Sequence, residues 1–140
     1  MPLSDEEFMR PLAYSIGSLR NQIVHMISVD QRWFARLKQN EVPPSLVYDN
    51  FSDRAHIRAT WDTVEAEMQA YVEGITDDML METVTFPTSR RGMTSEIRWR
   101  IMAHVVNHGT DHRAQILAML YALGKPLDFE QDMMLLWWEE

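Results

Sequence analysis

Apolar residues recur at intervals of three and four along three stretches of the chain, covering residues 16–38, 54–73 and about 95–123. This spacing places apolar side chains on one face of an α-helix, so each stretch predicts a long amphipathic helix. Residues typical of helix ends bracket the stretches: Asn40, Pro43 and Pro44 after the first, Ser52 or Asp53 and Gly74 around the second, Thr94 or Ser95 and Gly124 around the third.

Shorter patterns occupy the intervals between the long helices. Ser4 followed by three acidic residues predicts a short helix that Pro11 disturbs, and Thr76 predicts a short helical turn. Residues 82–86 alternate polar and apolar side chains ahead of a turn-like segment, which predicts an extended or hairpin-like loop across one end of the helices. Residues 128–140 return to helical spacing and predict a short C-terminal helix that docks against the rest.

Together these elements predict an all-α fold in one domain over residues 1–140, arranged as an up-and-down four-helix bundle. Hydrophobic residues make up 46% of the chain, which is enough to bury a proper core. Bundles of this kind often hold a metal ion between side chains of facing helices. The fold class therefore leaves room for a site in the core.

Charge and composition narrow the classes of function. The formal net charge of −8 argues against nucleic-acid binding, which usually requires a basic surface. The absence of cysteine excludes disulfides, thiolate metal ligands and a cysteine nucleophile. The first residues do not resemble a signal peptide, and no apolar run is long enough to span a membrane. We therefore expect a cytoplasmic protein with neither nucleic acid nor membrane as a partner.

The third long helix carries candidate metal chemistry. His104, His108 and His112 follow one another at intervals of four and would form a column on the apolar face, pointing inward or into a cleft. Two imidazoles at this spacing can coordinate one divalent cation. The zinc-protease version of the motif needs a glutamate directly after the first histidine, but Val105 and Gly109 occupy those positions. That mechanism is excluded.

Histidine pairs at this spacing also occur without metal, satisfied by water or by hydrogen bonds in the core. A third ligand from another helix would favour a metal site, and His25 is the obvious candidate. It lies at the edge of the apolar arc of the first long helix, where most histidines are ordinary half-buried or solvated side chains. His56 falls on the solvated side of its helix, and we assign it no role.

Two separated motifs resemble the DinB/YfiT-like superfamily. The run HVVNHGTDHRAQI, from residue 104 to residue 116, is similar to a stretch that reads approximately N-H-G-T-x-H-R-G-Q in that family. The segment GSLRNQIVHMISVDQRWFARL, residues 17–37, resembles the second helix of the family, and L-G-K-P-x-D follows near the C-terminus. The resemblance covers most of the chain. Asp111 and Ala114 depart from the usual pattern, but neither is a ligand position.

The resemblance implies a divalent metal held by one histidine of the second helix and two of the later helix. Those positions fall on His25, His108 and His112, with His104 as a core or outer group beside them. Nitrogen-only ligation favours zinc or nickel and also accommodates iron or copper. Polar residues that could orient the imidazoles are the following: Gln22, Asp30, Asn107, Asp111 and Gln115.

Characterised relatives resemble thiol S-transferases that use bacillithiol or mycothiol, or isomerases and hydrolases. The implied function is a metal-dependent enzyme in which the cation activates a small thiol or water. The thiol must come with a co-substrate, because the chain has no cysteine. Arg90, Arg91 and Arg98 could bind an anionic ligand, although a solvated basic loop explains them as well. The alternatives are a non-catalytic metal-binding or stress-response bundle and a purely structural one.

The resemblance also bears on assembly. Family members usually have a complete long helix before the matched one, whereas only about 15 residues precede it here. We therefore expect the first long helix of the bundle to be short or missing. A second copy of the chain could cover the open apolar face, which predicts a homodimer. The short N-terminal and C-terminal helices could also cover that face.

Overall fold

The computed structural model describes residues 3–88, 91–129, 131 and 134. The described part is mostly helical and includes one small antiparallel sheet. Its elements in chain order are α1 Asp5–Met9, α2 Leu19–Leu37, a 3₁₀ turn Tyr48–Asn50, α3 Arg54–Glu73, α4 Asp77–Leu80, β1 Thr83–Thr88, β2 Gly92–Ile97 and α5 Arg98–Ala122. The expectation of a mainly α-helical protein is confirmed, and the expected hairpin-like loop is a two-stranded hairpin.

Helix α2 is central to the packing, because it contacts α1, α3 and α5. Two apolar clusters hold these contacts. The first joins all four helices with the loop before α3: Phe8, Leu19, Val24, Ile27, Phe51, Ile57, Val64 and Met119. The second joins the end of α2 to β1 and the start of α5: Phe34, Leu37, Val84, Phe86, Ile101 and Val105. Each fully buried side chain stabilises the fold by about 1.5–3 kcal/mol, which fixes α5 against α2.

Local signals set two of the predicted helix ends. Helix α3 begins after Asp53, whose carboxylate accepts a 2.9 Å hydrogen bond from the Ala55 N–H. Helix α5 ends just before Gly124, which has a φ of 69°. The N–H of Lys125 then donates to the Leu120 carbonyl at 2.9 Å, a C-terminal motif that favours glycine at this point. Both boundaries agree with the pattern of the sequence.

The start of α2 differs from the prediction. The apolar spacing extends back to residue 16, but the helix begins at Leu19. Ser15 and Gly17 have φ values of 50° and 98°, which are not helical. Ser18 caps the helix instead, because its hydroxyl accepts from the Asn21 N–H at 3.1 Å.

The start of α5 also differs. Thr94 and Ser95 were expected to cap this helix, but they lie in β2, opposite Phe86 and Thr85 of β1. Pairing with β1 overrides their capping tendency. Helix α5 begins at Arg98 without a side-chain cap.

Three helices are long, namely α2 with 19 residues, α3 with 20 and α5 with 25. Helix α1 has only five residues. A fourth long helix is not among the described residues, and the predicted C-terminal helix at 128–140 lies largely outside them. No helix of the described part is both long and apolar enough to cross a lipid bilayer.

Candidate metal centre

Three histidines from two helices converge where α2 meets α5. His25 comes from α2, and His108 and His112 come from consecutive turns of α5. One ring nitrogen from each lies within 4.8 Å of the other two. The ring centroids are 5.3 Å apart for His25 and His108, 4.6 Å for His25 and His112, and 4.3 Å for the pair on α5. The residues that the resemblance implied as ligands are therefore neighbours in space.

The ring of His112 is oriented by a glutamine in the core. Gln22 is fully buried, and its Oε1 lies 2.6 Å from His112 Nδ1. The Nε2 group of Gln22 donates to Ser15 Oγ at 2.7 Å and to Gln115 Oε1 at 2.9 Å. Because this amide end is the donor, Oε1 is the acceptor and His112 Nδ1 carries the proton. The lone pair of His112 is then on Nε2, free for a cation.

A carboxylate at the far end fixes the direction of this network. Gln115 Nε2 donates to Asp111 Oδ2 at 3.0 Å, and an ionised carboxylate can only accept. Gln115 must therefore present its oxygen to Gln22, and Ser15 also donates to that oxygen. Three of the proposed orienting residues thus belong to one chain of hydrogen bonds: Gln22, Asp111 and Gln115. Ser15 was not predicted, because only tertiary contact brings it to the site.

The three converging rings are neutral at pH 7. Burial lowers the pKa of His25, His108 and His112 below the ordinary range, and repulsion from neighbouring imidazoles adds to this effect at the first two. The pKa of His108 falls to about 4. Asp111 partly opposes the shift in the two α5 rings. A neutral imidazole keeps the lone pair that a metal needs, so no proton has to leave before binding.

His108 supplies a further indication that the site fits a cation. Its Nδ1 atom is buried and has no hydrogen-bond partner among the described residues. A buried nitrogen without a partner costs free energy, and a cation taking this atom would remove that cost. The three histidines therefore fit a divalent cation, which would be held by one ring nitrogen of each.

His104 does not join this cluster. It is exposed, so of the expected orientations, inward or into a cleft, the first is wrong for this residue. Its ring meets the Trp33 ring edge-on at 5.0 Å and lies 6.1 Å from His108. His56 is also exposed, as expected, and stacks on Phe51 at 4.9 Å.

Of the arginines that the sequence suggested for an anionic ligand, the two that the structure describes are not among the side chains that contact the three histidines. Arg98 donates to the carbonyls of Leu37 and Met79 and to the carboxylate of Glu82, so it joins α5 to α2, to α4 and to the residue before β1. Arg91 is exposed at the hairpin turn. Arg90 lies outside the described residues.

A sequence model of the DinB family matches residues 2–133. The chain belongs to the DinB family. The resemblance drawn from the two histidine motifs is therefore confirmed over nearly the whole chain. Among curated proteins, none matches this DinB protein. Family membership and the three-histidine cluster together are compatible with a metal-binding protein of DinB type.

Proposed function

We propose that this DinB-family protein is a divalent-metal-dependent enzyme of the thiol S-transferase or hydrolase type. Its cation would be held by His25, His108 and His112 and would activate a small thiol or a water molecule. The observation that carries the proposal is the convergence of three neutral imidazoles from two helices, within 4.8 Å of one another.

The donor set and its exposure support a reactive site. Three nitrogen ligands leave coordination positions open, as catalytic sites do, whereas structural sites are usually closed by four protein ligands. His25 and His108 are only partly buried, while His112 is buried, so a small molecule can approach from one side. Nitrogen-only ligation suits zinc or nickel, and also iron(II) or copper.

The residues of the chain have separate tasks in this proposal. A bound divalent cation lowers the pKa of a thiol or water that it holds. Gln22 keeps the His112 ring in one tautomer, and burial keeps all three rings unprotonated. In S-transfer to a chlorinated aromatic, the thiolate sulfur forms a C–S bond, the C–Cl bond breaks, chloride leaves and the thiol proton passes to solvent.

Metal content tests the first half of the proposal. Protein purified without a histidine tag should contain about one equivalent of a divalent metal by elemental analysis, and His108→Ala should lose it while keeping its helical circular dichroism. His56→Ala removes an exposed histidine outside the cluster and should retain the metal. A metal-free wild type that also binds no added zinc, nickel, iron or copper would overturn the proposal.

Turnover tests the second half. The metal-loaded protein is mixed with a chlorinated aromatic and, in turn, glutathione, bacillithiol or mycothiol, and product formation is compared with that of His108→Ala. A hydrolase would instead cleave an ester panel without thiol. Metal binding with no turnover in either panel would favour the alternative, a non-catalytic metal-binding or stress-response bundle.

We also propose that two copies of the chain form a homodimer that completes a four-helix bundle. The support is an exposed apolar stripe on α5, where Trp99, Val106 and Tyr121 are 43%, 64% and 77% exposed. The intervals between them keep these side chains on one face of the helix. Large apolar groups aligned in this way mark association surfaces.

A further inference from the structure

Two arginines continue the face of α2 that carries His25. Arg32 and Arg36 follow His25 by seven and eleven residues, which returns to the same side of a helix after two and three turns. Both side chains are partly buried. The metal-site face of α2 is therefore basic beyond the histidine cluster.

The head group of Arg36 lies back towards the cluster. Its Nη1 donates to the Arg32 carbonyl at 3.0 Å, one turn closer to the start of the helix, and its guanidinium covers the Trp33 ring at 4.8 Å. The Trp33 ring also contacts the His104 ring, whose centroid lies 6.1 Å from that of His108. The rings of Trp33 and His104 thus lie between His108 and the Arg36 guanidinium.

Arg32 has a neutral hydrogen-bond partner, but its charge is not paired with an acidic side chain of the described residues. Its Nη1 donates to Ser45 Oγ at 2.7 Å, on the loop that leads from α2 to α3. The Nε atoms of Arg32 and Arg36 are both buried, and neither has a hydrogen-bond partner in the part of the chain that the structure describes. None of the seven salt bridges within the described ranges uses either arginine.

Two adjacent unpaired cations are costly in a partly buried position. Burial lowers the pKa of Arg36, and the positive charge of Arg32 lowers it further. The chain has a net charge of −8, so carboxylates were available to neutralise these groups. A ligand that brings its own negative charge would offset the cost, because the arginine fork matches an acidic oxyanion.

We propose that Arg32 and Arg36 bind the carboxylate of a small-molecule substrate whose reactive end lies at His25, His108 and His112. The position of the reactive end rests on the proposed metal-dependent function. The α2 backbone rises about 10 Å from His25 to Arg32 and about 16 Å to Arg36, and arginine side chains lean back towards the helix start. The geometry therefore suits an acid in which several bonds separate the carboxylate from the reacting thiol or electrophile.

The first arm of the test needs no metal. Chelator-treated protein is titrated with hexanoate while the arginine Nε–H signals are followed by nuclear magnetic resonance, since these buried groups exchange slowly. Arg32 and Arg36 signals should shift in a saturable way with hexanoate and remain in place with hexanol. Arg58→Gln removes the same charge from an exposed position on α3 and should leave the shifts unchanged. Absence of saturable shifts in the wild type overturns the proposal, whatever the metal does.

The second arm uses cobalt(II)-loaded protein and a series of ω-mercaptoalkanoates, each matched with the mercaptoalcohol of equal length. Binding is read from the sulfur-to-cobalt absorption. At the best length the acid should bind at least tenfold more tightly than the alcohol, because it adds charge-assisted hydrogen bonds. The Arg32→Gln/Arg36→Gln variant should bring this ratio close to one, with an unchanged Kd for the alcohol, which also reports an intact site.

The two arms separate the two proposals. If cobalt, zinc, nickel, iron and copper all fail to bind, the metal-dependent function is wrong, and if the metal binds but both thiols fail, its thiol branch is wrong; in either case the hexanoate titration still decides on the arginine site. If thiols bind but the acid has no advantage, or keeps its advantage in the double variant, the arginines are not the carboxylate site and the metal function stands.

Discussion

Gln22 Oε1 accepts a hydrogen bond from His112 Nδ1 at 2.6 Å, and this contact links the packing of α2 to the orientation of a ring in the candidate metal centre. Gln22 is fully buried between the helices, so its amide cannot exchange its partners for water. Groups that hold the second nitrogen of a ligating histidine set its tautomer and direction. The geometry of the site therefore depends on a residue that would not touch the cation.

The first prediction concerns this glutamine. Gln22→Leu keeps the volume of the side chain but removes the acceptor for His112 Nδ1–H, so the imidazole loses its fixed tautomer. Metal affinity should fall about 10–100-fold, the usual effect of losing such a partner, as measured by competition with a chelator. Gln69→Leu changes an exposed glutamine of α3 and should leave the affinity unchanged. Equal affinities in Gln22→Leu and the wild type would mean that the contact does not orient the ring.

The second prediction concerns the pH dependence of metal binding. With an ordinary histidine pKa, proton competition would begin near pH 6.5. The pKa of all three ligands is lowered, at His108 to about 4, so protons compete with the cation only at more acid pH. Affinity measured with a metal indicator should stay nearly constant from pH 7.5 to 6 and decline between pH 6 and 4. A loss of tenfold or more already between pH 7.5 and 6 would contradict the lowered pKa values.

The helix boundaries show which features of this fold are set by neighbouring residues in the sequence and which by tertiary contacts. The start of α3 is predictable because the Asp53 carboxylate contacts an N–H only two residues away. The start of α5 is not, because Thr94 and Ser95 pair with β1, whose identity depends on the hairpin as a whole. Threonine and serine occur both as helix caps and in edge strands, and only tertiary pairing decides which of the two structures they adopt.

The candidate site likewise has one part that local sequence predicts and another that depends on tertiary contacts. The pairing of His108 with His112 follows from helical spacing alone, whereas the contribution of His25 required the family resemblance and then the packing of α2 against α5. Ser15 was missed because it joins the network from an irregular segment with a positive φ. The helical spacing of Arg32 and Arg36 from His25 was visible in the sequence, but only the tertiary structure shows that no acidic side chain among the described residues pairs with them.

The third prediction concerns Asp30, a half-buried carboxyl on α2. Burial raises its pKa to about 6, although the positive charge of Arg113 partly opposes this. Because the folded pKa is raised, the unfolded chain releases the proton first, so Asp30 destabilises the fold above pH 6 and stops doing so below about pH 4.

Asp30→Asn should therefore stabilise the metal-free protein by about 1–3 kcal/mol at pH 7, with most of the difference gone at pH 4. Urea unfolding at the two pH values measures the effect. Asp62→Asn, on an exposed part of α3, should change the free energy of unfolding by less than about 0.5 kcal/mol at either pH. A destabilised Asp30→Asn variant at pH 7 would show that the charged carboxylate has a favourable partner instead.

The fourth prediction concerns the exposed apolar stripe of α5 and the proposed homodimer. Val106 is 64% exposed between Trp99 and Tyr121 on the same face. In a symmetric dimer each substitution enters the interface twice, so Val106→Glu would bring two charges into an apolar contact. The dimer Kd should rise at least about a hundredfold, equivalent to about 3 kcal/mol, as measured by sedimentation. Val72→Glu adds the same charge on α3 and should leave the dimer intact. A wild type that is a well-folded monomer at micromolar concentration would refute the dimer, and the stripe would then need another partner.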